Sequence, residues 1–189
     1  MLQKSIVWSL VAFTALPANA ESRDISLRSF ERALAAQPSA TAALTGWCGA
    51  HAIANPAQIV AEPVGEEYPG PISAVRKLLG VGAKQPVVHR NVRLNCGATT
   101  LSVAYNWYVP GLLTPEMNQA LTTTTTPFGA VIAPLGFTRQ LLAFSRGAMN
   151  GCPRDSVLSH LARLNLPDGR TVSVVIECYT AANLRRPEP

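Results

Sequence analysis

Apolar residues recur at helical spacing from Ile25 to Ala36, where Ile25, Leu27, Phe30, Ala33 and Leu34 are interrupted by Arg28, Glu31 and Arg32. This predicts an amphipathic helix closed before Pro38, with a second helical piece over Ala40 to Cys48. Between about Ala50 and Pro71 glycine and proline are frequent, which predicts irregular chain holding one short strand near Gln58 to Val64. Ile72 to Leu79 reads as a short helix ended by Gly80. Beyond it the period drops to two. Val87 to Leu94 and Thr100 to Val109 read as strands around Asn95-Cys96-Gly97-Ala98, a hairpin connection with glycine where positive φ is suited. Pro110 stops the second strand, and Pro115 to Leu121 forms a helical turn or two behind Thr114 as N-cap. The threonine run from Thr122 to Thr126, closed by Pro127-Phe128-Gly129, reads as a turn and not a disordered linker. Val131 to Ala133, Thr138 to Phe144, Ser156 to Leu166 and Arg170 to Tyr179 supply further extended segments, the last two joined through Pro167-Asp168-Gly169. A polar, proline-rich tail, about residues 184–189, is expected to be mobile. Helices gathered early and hairpins late predict an α+β domain with an antiparallel sheet.

The N-terminus follows a different pattern. Lys4 forms a basic n-region, Ser5 to Leu16 an apolar stretch, and Pro17-Ala18-Asn19-Ala20 an A-x-A cleavage site. Residues 1–20 are therefore expected to be a signal peptide, leaving residues 21–189 as one domain, periplasmic or secreted. The apolar stretch is shorter than the roughly 20 residues a spanning helix needs, so no stable membrane insertion is expected after cleavage. The formal charge is +5, and Lys4 accounts for one unit of it. The remaining basic residues are scattered, without the dense stripe and stacking aromatics of a nucleic-acid binder. Cys48, Cys96, Cys152 and Cys178 fit disulfides in an oxidising compartment, with three pairings open. No CxxC spacing occurs and His51, His89 and His160 stand apart in sequence, which argues against a metal site or a Cys/His nucleophile.

Two charges stand out from the strand alternation. Val88, Arg90, Val92 and Leu94 share one face, with His89, Asn91, Arg93 and Asn95 on the other, so Arg90 interrupts an apolar row. Glu177 lies among Val174, Val175, Ile176 and Cys178, in a strand apolar on both sides. An unpaired guanidinium in a dry layer costs several kcal/mol, and its planar fork suits a carboxylate. Either Arg90 and Glu177 pair with each other or reach solvent at strand ends, or a cavity between them takes a ligand. Asn106 alternates with Ala104 and Tyr108 and faces their side, while Tyr105, Trp107 and Tyr108 are expected to pack. Gly80-Val81-Gly82 lacks the rest of a dinucleotide fingerprint, and neither a G-x-S-x-G elbow nor a P-loop occurs.

Within Val88 to Gln140, the motifs His89-Arg90-Asn91-Val92-Arg93-Leu94, Asn106-Trp107-Tyr108-Val109-Pro110, Leu113-Thr114, Thr126-Pro127-Phe128-Gly129 and Phe137-Thr138-Arg139 resemble the chorismate pyruvate-lyase family. Ile176-Glu177-Cys178-Tyr179-Thr180 resembles its C-terminal strand, which carries a glutamate. The resemblance implies an antiparallel sheet with helices packed on one side and a cavity under flap-like helical segments. It also implies elimination of pyruvate from chorismate to give 4-hydroxybenzoate, without metal or cofactor. Carried over by position, Arg90 holds the ring carboxylate, Glu177 is the catalytic acid/base at the other end, and the backbone of Phe128 helps bind the carboxylate. Asn106 stands where the family has a second arginine, and Ala40 is the nearest position to its flap methionine. Two readings follow: an exported lyase on chorismate, or a non-catalytic binding protein for a small aromatic carboxylate.

Overall fold

The computed structural model describes residues 25–65 and 70–185; the expected signal peptide and the end of the tail lie outside the described residues. Helix α1 (Leu27–Ala35) begins at a reciprocal cap in which Ser26 and Ser29 satisfy each other's backbone N–H groups, and it turns Phe30 and Leu34 inward. The Ser39 hydroxyl accepts from Ala42 N–H to open α2 (Ala40–Ala50). After strand β1 (Ile59–Pro63), α3 (Ile72–Leu79) ends at Gly80, whose φ of 69° is the left-handed stop the sequence predicts. Strands β2 (Val88–Cys96) and β3 (Thr99–Tyr108) form a hairpin around Gly97 and Ala98, with Gly97 at φ 56°. Helix α4 (Pro115–Thr123) is capped by Thr114.

Two extended or turn assignments are corrected. Thr122 and Thr123 complete α4, their hydroxyls bonding back to the carbonyls of Asn118 and Gln119, and the chain leaves the helix at Thr124. Val131 to Ala133 is not a strand: Phe128–Val131 forms a single helical turn, α5, and Ala133–Leu135 a 3-10 turn. Three apolar residues without a neighbouring strand gain nothing from extension, and here Ile132 is fully buried beneath the turns instead. At the C-terminus Leu184 belongs to a last 3-10 turn and packs partly buried against the core.

Strands β4 (Thr138–Ser145), β5 (Leu158–Asn165) and β6 (Thr171–Tyr179) complete a six-stranded antiparallel sheet of order β1-β2-β3-β6-β5-β4. Two three-stranded meanders thus join where β3 pairs with β6. The segment carrying α4 and α5 crosses the sheet between them. The α+β antiparallel class expected from the sequence is the class observed. Helices α1 and α2 bury Phe30, Leu44 and Trp47 on one face against Val92, Leu94, Ala104 and Tyr179, and α4 and α5 extend that layer over Tyr108 and Leu164. On the opposite face α3 packs Val75 and Leu79 over Tyr105, Trp107, Val174 and Ile176. Tyr105 and Trp107 pack there as expected, with the His89 ring stacked 4.9 Å from Trp107.

All four cysteines are paired. Cys48–Cys96 ties α2 to the end of β2, and Cys152–Cys178 ties the β4–β5 connection to β6. No helix of the described residues is long and apolar enough to cross a membrane.

Candidate functional site

Cross-strand register sets the site. On the face covered by α1 and α2, Arg90 lies opposite Asn106, Val92 opposite Ala104, and Ala104 in turn opposite Glu177. His160 is Glu177's partner on the other side, and Arg139 stands across from Leu164 one strand further out. Because directly opposed residues share a face, five strands aim these side chains into one layer. Ala104 is small and leaves a gap between its larger neighbours. Above the gap lie the N-terminal turns of α2 and α5.

The gap is a narrow, partly enclosed cavity of about 40 Å³. Arg90, Asn106, Phe128 and Glu177, the four residues singled out from the sequence, all line it, as does Ala40. The structure thus brings together every sequence-predicted position. It adds Arg139, Ser39, Thr41 and Gly129.

Arg90 and Glu177 do not pair with each other. Glu177, 5% exposed, receives Arg139 through Nη2 at 2.5 Å and the Tyr179 hydroxyl at 2.8 Å, both on Oε2. Burial is the largest influence on the Arg139 guanidinium and pulls its pKa down, but the Glu177 charge and hydrogen bond, with Tyr179, raise it on balance. Burial first, then the Glu177 charge, pushes the Tyr179 phenol well above its ordinary value, so it stays a donor. Arg90 makes no ion pair or side-chain hydrogen bond among the described residues. It is partly buried, and desolvation lowers its pKa. Asn106 is 5% exposed and its Oδ1 accepts from the Ser173 hydroxyl at 3.1 Å, which fixes the amide orientation. Phe128 leans on Tyr108 with ring centroids 5.2 Å apart and closes the apolar wall.

Sequence reasoning did not reach Arg139 or His160 as site residues. Arg139 sits between Thr138 and Gln140 in a strand exposed at most positions, so its charge breaks no apolar row. His160 is 7% exposed with Nδ1 3.1 Å from Arg139 Nη2, a contact between strands that spacing along the chain does not reveal. Arg139 also forms part of an open groove of about 430 Å³ between α1 and β4, with His160, Glu31, Phe144 and Arg146. On the far side of the α2–α5 seam, Ser39, Thr41 and Gly129 border a depression of about 610 Å³ as well as the cavity. Among the described residues no group of three or more His, Cys, Asp or Glu is placed to hold a metal ion.

No family model matches the chain. It is 40% identical over 185 residues to the uncharacterized protein y4mC of Sinorhizobium fredii, covering 86% of this chain and 77% of that protein. Among solved structures it is similar to gene product SA0254 of Staphylococcus aureus, with TM-score 0.49 and 10% identity over 71% of this chain and 91% of that one. The effector domain of PhnF from Mycobacterium smegmatis follows at TM-score 0.45 and 12% identity, over 66% and 82%. A possible transcriptional regulator, YydK of Bacillus subtilis, gives TM-score 0.48 and 11% identity over 69% of this chain; the chain spans 62% of that protein. Likeness at this distance assigns neither ligand nor activity.

Proposed function

The chain belongs to one family with the uncharacterized protein y4mC of Sinorhizobium fredii, and from that premise we propose that it is a binding protein for a small aromatic monocarboxylate. One observation carries the reading: Arg90 presents a guanidinium that has no carboxylate partner among the described residues to a cavity whose other end holds the Arg139–Glu177 pair. Glu177 neutralises Arg139, so the charge left to be met is that of Arg90 alone. A monoanion meets it. Chorismate carries two carboxylates, and Asn106 contributes an amide where the resemblance has a second arginine. The ligand carboxylate takes the planar fork of Arg90 with Phe128 beside it, and a ring hydroxyl points to Glu177.

The apolar walls of Val92, Leu94, Ala104 and Leu164 suit a ring. A cavity that takes up benzene measures roughly 150 Å³, so the ligand needs more room than the present 40 Å³. The partition at Ser39, Thr41 and Gly129, between cavity and outer depression, is the place where α2 and α5 can part to supply it.

Residues 1–20 serve in this reading as a cleaved export signal, consistent with the two disulfides. The ligand is then captured outside the cytoplasm. N-terminal sequencing of protein recovered by osmotic shock should begin at Glu21.

The test of binding is a thermal-shift series with 4-hydroxybenzoate and related acids, which stabilise the protein by mass action. Arg90→Ala should abolish the shift. A shift that survives that substitution removes Arg90 from the site. Incubation with chorismate in the same series decides the lyase reading: release of 4-hydroxybenzoate, lost in Glu177→Gln, would replace the binder with an enzyme that uses Glu177 as acid/base.

A further inference from the structure

His160 touches both groups that hold Glu177. Its Nδ1 lies 3.1 Å from Arg139 Nη2, and its ring meets Tyr179 edge-on at 5.3 Å and 82°. Guanidinium nitrogens only donate, so Nδ1 must present its lone pair and the ring proton must sit on Nε2. The contact exists only for neutral imidazole. From the other side His160 lines the open groove between α1 and β4, which lets solvent protons reach the ring without entering the cavity. Arg139 lines both spaces.

We propose that His160 is a positioning residue: while its imidazole is neutral it holds Arg139, and through Arg139 the carboxylate of Glu177, in binding geometry, so acidification weakens the cavity's grip on its ligand. The proposal rests on the reading of the cavity as the ligand site. Protonation replaces the lone pair with an N–H and puts a second positive charge beside the guanidinium. Among the described residues Arg139 Nε is already buried without a partner, so losing His160 leaves the guanidinium with Glu177 as its remaining hydrogen-bond partner there. The arginine then turns toward the groove, and Glu177 shifts with it.

Groups facing His160 come from every element around it: Glu31 from α1, Arg139 from β4, Arg146 just beyond β4, and Glu177 and Tyr179 from β6. Burial, the largest influence, keeps the ring neutral; Glu177 and Glu31 favour the proton and Arg139 opposes it, with the result that the pKa falls below the ordinary 6.5. The change therefore lies on the acid side of that value.

Nitrogen-15 NMR of the full mature protein follows the His160 ring and the Arg139 Nε–H from about pH 8 to about pH 5. The Arg139 signal should move with the midpoint of the His160 titration. Calorimetry with 4-hydroxybenzoate over the same range should show affinity falling about tenfold, within the usual size of coupling between two sites. In His160→Asn the side-chain oxygen still accepts from Arg139 but does not titrate, and the pH dependence should flatten. An Arg139 signal indifferent to His160, or a wild-type pH profile in His160→Asn, overturns the proposal. The NMR arm needs neither substitution nor ligand, so if 4-hydroxybenzoate binds at no pH the ligand reading falls while His160's hold on Arg139 is still decided.

Discussion

Arg90 and Arg139 lie in the same layer and have opposite circumstances, which makes their substitutions behave differently. Arg90 has no anion to lose among the described residues. Arg90→Met keeps the apolar stem and removes a partly desolvated charge, so stability should stay level or rise by roughly 1 kcal/mol. Urea unfolding checks this, with loss of ligand-induced stabilisation in the same protein. Glu177→Gln, by contrast, strands the buried Arg139 and should lower stability by about 3 kcal/mol. Replacing both together, Glu177→Leu with Arg139→Met, should lose less than Glu177→Gln alone; a larger loss would show that the pair stabilises the fold beyond satisfying itself. Arg90 and Glu177 are legible in the sequence because each interrupts an apolar pattern. Arg139 is not, since its strand is polar or exposed along most of its length.

At the level of elements, the roof of the cavity depends on how closely α5 approaches α2. Gly129 permits that approach: a Cβ there would lie 3.0 Å from Thr41 Oγ1 and 3.2 Å from Ser39 Cβ. Gly129→Ala should push the two helical turns apart and cost about 1–3 kcal/mol by overpacking. Because those turns roof the cavity, the same substitution should change 4-hydroxybenzoate affinity, and unchanged affinity in a destabilised variant would place the entrance elsewhere. The long helices, the β2–β3 hairpin and the stop at Gly80 follow from local rules of spacing, capping and positive φ. Helix α5 does not. Its four residues are held by what they cover, with Phe128 on Tyr108 and Ile132 buried, and no local preference outweighs that burial.

Across the whole molecule the two disulfides close loops of different length and accessibility. In the chain-entropy picture the Cys48–Cys96 and Cys152–Cys178 links, with sequence separations of 48 and 26, contribute about 4 and about 3.5 kcal/mol. Cys48 and Cys96 are both 0% exposed, whereas Cys152 is partly exposed. Mild reductant followed by alkylation and mass mapping should therefore label Cys152 and Cys178 first. Labelling of Cys48 ahead of Cys152 would mean that α2 opens from the sheet more readily than the β4–β5 connection moves.

The amino-acid sequence by itself determined the class of the domain and the presence of charges in apolar strand faces. Both depend on periodicities of two and 3.6 that any short stretch displays. Only the tertiary structure decided which guanidinium meets Glu177, how the four cysteines pair, and that His160 stands behind Arg139. The Cys48–Cys96 link follows from α2 packing on the β1–β2 end of the sheet, and the other outcomes follow from β6 lying between β3 and β5 and from β4 lying at the edge of the sheet. That order is chosen by the burial of whole faces, and no local pattern encodes it.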